Sequence, residues 1–110
     1  MSEQRVRFRD IKPYSIVDSL DELTGPSAGQ ITLPVDVHWS GPRSTFDVQD
    51  RDDLQQAYQS ILSNGRREHL VEFLHKDLLL TVWPVLALDR RVLDLWCDRF
   101  PEIAAIQREF

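Results

Sequence analysis

Asp50-Arg51-Asp52-Asp53-Leu54-Gln55-Gln56-Ala57-Tyr58-Gln59-Ser60-Ile61-Leu62 decides how the chain folds. Leu54, Ala57, Tyr58, Ile61 and Leu62 recur at i, i+3, i+4, i+7 and i+8. At about 100° per residue they line one face of an α-helix. Asp50 is placed to cap its N-terminus, and Asp52 and Asp53 put negative charge where the helix dipole is positive. Ser63-Asn64-Gly65 is a stop, with Gly65 predicted in the left-handed conformation that closes many helices. A short amphipathic helix does not hold its shape alone in water. Its stripe needs partners, and the residues after it supply them.

Arg66 to Leu74 predicts a short helix using Leu70, Phe73 and Leu74. Leu78, Leu79, Val82 and Trp83 continue as a third, with Asp77 as its start and Pro84 as its end. Asp89 caps a fourth helix with Val92, Leu95 and Trp96 on its stripe. Pro101 then stops that helix after Phe100 or opens a last turn through Ile106. Trp83 and Trp96, on helical stripes, are predicted core.

Upstream the pattern changes. Ile16 to Leu23 reads as one or two helical turns capped by Asp18 or Ser19. Gly25-Pro26-Ser27-Ala28-Gly29 breaks regular structure and lacks the glycine spacing and the Lys-Ser/Thr of a phosphate-cradling loop. Ile31, Leu33, Val35, Val37 and Trp39 alternate with polar residues and Pro34, the period of a half-buried strand. Pro34 has no N–H for a ladder, which implies an edge, a bulge or a break. Thr45 to Val48 returns with Phe46 and Val48 facing in. Val6 and Phe8, between arginines, fit a short edge strand. The expected architecture is α+β: a small N-terminal antiparallel β unit, then a three- to four-helix bundle. All 110 residues make one domain, β-rich over 1–49 and helical over 50–110.

The net charge is −5. It divides into −2 over residues 1–49 (5 basic, 7 acidic) and −3 over 50–110 (8 basic, 11 acidic), so neither half carries the basic excess that coats nucleic acid. Moderate acidity suits a basic protein partner. Cys97 is the only cysteine, which excludes an internal disulfide and a multi-cysteine zinc site. The N-terminus shows no apolar leader segment, and no apolar run approaches the length that spans a bilayer, so the expected location is cytoplasmic.

Candidate chemistry is sparse. His69 and His75 stand six residues apart, on different helical faces, where a helical zinc pair wants i, i+4; both are predicted at the surface. His38, beside Asp36, has no nucleophile near it in sequence. Asp50, Asp52 and Asp53 are accounted for by capping and the dipole, without a metal. No catalytic, cofactor or metal-ligating set is assigned. The doublets Arg66-Arg67 and Arg90-Arg91 begin helices, where the dipole disfavours cations; residues set against local preference sometimes serve a partner, and the alternative is a solvated face with Glu68, Glu72 and Asp94 as neighbours. The Gly41-Pro42 turn beside Trp39 keeps Arg43 in water, and Trp and Arg are enriched at interface hot spots. Trp39 reads equally as an exposed anchor or as core; with Arg43, Arg66 and Arg67 it makes up the predicted partner contacts.

Ser19-Leu20-Asp21-Glu22-Leu23-Thr24-Gly25-Pro26, Leu33-Pro34, Trp39-Ser40-Gly41-Pro42, Phe46-Asp47, Ala57-Tyr58, Trp83-Pro84 and Arg99-Phe100-Pro101-Glu102 together form a pattern. It resembles a group of small actinobacterial proteins whose genes often lie beside nucleotidyltransferase-like toxins. The resemblance spans about residues 15–104, and its motifs are structural rather than chemical. It implies an antitoxin-like protein that binds such a toxin, and it carries over no catalytic residue. The disordered neutralising tail common among antitoxins is not evident in this sequence. The alternative expectation is a DNA-binding regulator, with Arg66-Arg67 or Arg90-Arg91 opening a helix of a helix-turn-helix.

Overall fold

The computed structural model describes residues 14–38 and 44–106; Val6, Phe8, Trp39 and Arg43 lie outside them. The predicted central helix is α1, Arg51–Asn64. Asp50 caps it, its carboxylate accepting the Asp53 N–H at 3.1 Å. Leu54, Ala57, Tyr58, Ile61 and Leu62 are all buried, as the stripe requires. The end of α1 differs from expectation. Gly65 has φ −77°, an extended rather than left-handed backbone. What demands glycine is close approach: a Cβ would lie 2.6 Å from the Ile61 carbonyl oxygen and 3.1 Å from the His69 Cβ.

Four further helices follow: α2 (Arg67–Phe73), α3 (Lys76–Val82), α4 (Arg90–Arg99) and α5 (Pro101–Ala104). Asp89 caps α4 as predicted, accepting the Arg91 N–H at 2.8 Å. The start of α3 is corrected: His75, not Asp77, is its cap, with Nδ1 accepting the Asp77 N–H at 3.2 Å. Pro84 does not stop α3 outright, because the chain tightens into a 3-10 turn, Trp83–Val85, whose first positions tolerate proline.

Ser19 opens a 3-10 helix, Leu20–Glu22. Its hydroxyl accepts the Asp21 N–H at 3.2 Å, and the Glu22 carboxylate reaches back to the Ser19 N–H at 2.9 Å. Strands β1 (Gln30–Thr32) and β2 (Thr45–Asp47) pair antiparallel with Ile31 opposite Phe46. The period-2 pattern ends at Leu33. Pro34 cannot continue the ladder, and the chain turns, the Val37 N–H meeting the Pro34 carbonyl at 2.9 Å. Ile31, Leu33 and Val37 are buried, but Val35 is 76% exposed, where uninterrupted alternation would have buried it.

One apolar cluster joins the sheet to the helices, from Val17 to Ile103, and Trp83 and Trp96 are wholly inside it. Among the described residues, no helix is long and apolar enough to cross a membrane.

Tyr58 is buried on the stripe, and its hydroxyl oxygen accepts the His75 N–H at 2.9 Å, tying α1 to the α2–α3 junction. Burial pushes its pKa from 10.0 up to about 12. The unfolded chain therefore releases this proton before the folded one, so stability falls as pH rises from 10.0 towards about 12. The expected loss is roughly 2–3 kcal/mol. Denaturant titrations at pH 9 and at pH 12 measure it, and Tyr58→Phe should remove that part of the pH dependence.

Candidate functional site

The arginine doublet lies at the start of α2, beyond the C-terminal end of α1. Arg66 is the N-cap residue but does not cap with its own side chain. The His69 imidazole does so instead, Nδ1 accepting the Arg66 N–H at 2.9 Å. His69 is only 7% exposed, and His75 is half-buried and caps α3. The expectation of a surface position is corrected for His69, whereas His75 keeps part of its ring in solvent. Each ring accepts through Nδ1, which leaves the ring proton on Nε2. Among the described residues no cluster of His, Cys, Asp or Glu is arranged to hold a metal ion.

The Arg66 guanidinium is released into solvent and bridges two carboxylates. Nη2 lies 3.1 Å from Asp36 and Nε 3.2 Å from Glu68. Glu68 first, then Asp36, raises the Arg66 pKa; Arg66 in turn draws the Glu68 carboxyl below its usual range. Arg66 thus joins the start of α2 to the turn that presents Val35. Asp36 precedes Trp39 by three residues, so the turn leads directly into the Trp39–Arg43 segment.

Arg67 faces a different neighbour, the Glu22 carboxylate. That pair belongs to a series. Lys76 of α3 lies 3.6 Å from Asp21, and Arg99 of α4 lies 3.0 Å from Asp18. The acidic segment Asp18–Glu22 receives one cation from each of α2, α3 and α4. These ion pairs give Arg67 a structural reason for its position that owes nothing to a partner. Exposed pairs of this kind position segments more than they stabilise them.

His38 has a nucleophile near it in space, although none in sequence. Its Nδ1 lies 2.8 Å from the Ser60 hydroxyl, and its ring sits edge-on to Phe46 at 5.1 Å. Asn64 donates to the Val37 carbonyl at 3.0 Å. Together they fasten the end of the Val35 turn to α1. Sequence reasoning missed this anchor because its partners are 22 and 27 residues apart.

Comparison with protein-family models, with curated proteins and with solved structures gives no match.

Proposed function

We propose that the chain is a non-enzymatic protein-interaction module, an antitoxin-like partner of a nucleotidyltransferase toxin. The observation that carries this is the turn at Val35. Turn positions favour Gly, Pro, Asn, Asp and Ser, yet here a valine stands at the tip, 76% exposed. We take this valine, set against the local preference of its turn, as the centre of the candidate contact surface. Beside it, the Asp36–Arg66–Glu68 bridge supplies a charged rim. An apolar centre with a polar rim is the anatomy of a protein interface. Trp39 and Arg43, which follow in the sequence, are proposed as further contacts. The acidic net charge of −5 suits a basic partner, and the sequence resemblance suggests which partner to try first.

A regulator that binds DNA through the same arginines has less support. Arg66 and Arg67 already face Asp36, Glu68 and Glu22, which would repel phosphate.

The test is co-expression with a tagged nucleotidyltransferase-like toxin encoded beside the gene. Stable co-purification is expected. Val35→Asp and Arg66→Ala should each weaken binding at least tenfold while the far-ultraviolet circular dichroism stays that of wild type. Absence of a complex, or unchanged affinity in both variants, rejects the proposal. Steeply salt-dependent binding to its own promoter would favour the regulator.

A further inference from the structure

A surface cavity of about 390 Å3 opens where α1 and α3 meet the loop after β2. Its floor is apolar. Val48, Leu54 and Val82 are buried beneath it and Leu78 forms one wall. Its rim is polar and comes from separate parts of the chain: Ser27 from the loop before β1, Gln49 and Arg51 from the entry to α1, and Thr81 from α3. The volume falls within the range of small-molecule sites, which combine an apolar body with a few convergent polar groups.

The rim has spare hydrogen-bonding capacity. Among the described residues, the Ser27 hydroxyl, the Gln49 side-chain amide and the Arg51 guanidinium make no hydrogen bond or ion pair. Thr81 donates to the Asp77 carbonyl at 2.8 Å and keeps its oxygen free to accept. Arg51 is the only charged residue of the lining. This contrasts with Arg66, Arg67, Lys76 and Arg99, each held by a carboxylate.

Aspartates flank this corner in sequence, but three of their carboxylates are turned to backbone N–H groups. Asp47 accepts from Gln49 at 2.9 Å, Asp50 from Asp53 at 3.1 Å, and Asp53 from Asp47 at 3.0 Å. None of them lines the cavity.

We propose that this cavity binds a small amphipathic carboxylate, with its apolar body on Val48, Leu54, Leu78 and Val82 and its carboxylate on Arg51, supported by Gln49 and Ser27. A guanidinium presents parallel N–H donors matched to a carboxylate. The apolar floor rewards a chain or ring in place of a hydrated inorganic anion. The site is independent of the proposed partner surface. The cavity lies at the N-terminal end of α1 and Arg66 beyond the other end, roughly 20 Å away at about 1.5 Å per residue.

The test uses three probes of equal chain length: octanoate, octanol and octylammonium. Each is titrated into the full chain and followed by amide chemical shifts. Octanoate should perturb residues 27, 48–54 and 78–82 selectively and bind more tightly than octanol, with octylammonium weakest. Arg51→Gln, an exposed change, should weaken octanoate about three- to tenfold and leave octanol unaffected. Thr81→Phe, which fills the cavity from an exposed helix position, should abolish both. Octylammonium binding as tightly as octanoate would overturn the proposal, because the flanking aspartates would then govern the site. So would shifts scattered over the surface, or an Arg51→Gln protein that binds octanoate as wild type does.

Discussion

Gly25→Ala is expected to cost about 3 kcal/mol of stability, far more than one methyl group ordinarily does. A Cβ at Gly25 would stand 2.3 Å from both the carbonyl carbon and oxygen of Phe73, and 2.7 Å from the Leu74 oxygen. All three atoms are backbone at the end of α2, so no flexible side chain can yield. The segment must lift away instead. Lifting it breaks the Thr24 N–H bond to Val71 at 2.9 Å, the Gly25 N–H bond to Leu74 at 2.8 Å and the Thr24 hydroxyl bond to Val71 at 3.0 Å. At about 1 kcal/mol each, these set the magnitude. Gly29→Ala is the control. Gly29 has φ +88° with nothing within 4 Å of an added Cβ, so it should cost only backbone strain, about 1 kcal/mol. Urea unfolding of the two variants measures both, and equal losses would show that the Gly25 contact does not govern this junction.

Trp96 offers the second large effect. The side chain is completely buried, its ring centroid 5.5 Å from that of Phe100. Trp96→Ala should cost about 3–5 kcal/mol through the cavity it leaves. Trp96→Phe should behave differently. The indole Nε1 is buried and finds no hydrogen-bond partner among the described residues. Removing a buried, unpaired donor recovers its desolvation cost of about 1–3 kcal/mol, which offsets the lost ring volume. The expected net change for Trp96→Phe is within about 1 kcal/mol. If Phe proves as damaging as Ala when both are unfolded in urea, the indole N–H has a role that its surroundings do not show.

What was legible in the sequence is what depends on near neighbours. The stripe from Leu54 to Leu62, the caps Ser19, Asp50 and Asp89, and the burial of Phe46, Val48, Trp83 and Trp96 all follow from local period and local hydrogen bonding. The misreadings share a different cause. Gly65 is required by a neighbour in space, not by its own φ. His75 holds an N-cap position usually filled by Ser, Thr, Asp or Asn, and His69 reaches back from a position usually filled by Glu or Gln, so residue type gave no hint. Val35 leaves the strand pattern because Pro34 turns the chain before the alternation ends. At the candidate surface, the Arg66-Arg67 doublet stood out as charge set against the dipole. Its carboxylates come from as far as 30 and 45 residues away, and no local signal announces them.

The ion pairs on the Asp18–Glu22 segment also order events during synthesis. Asp18 and Arg99 are 81 residues apart in the chain. Their contact cannot exist until α4 has left the ribosome. Helices α1 to α3 are assembled from short-range contacts and are available earlier. The Asp18–Glu22 segment can therefore meet Arg67 and Lys76 as soon as α2 and α3 are out, and only Arg99 waits for α4 before it finds Asp18.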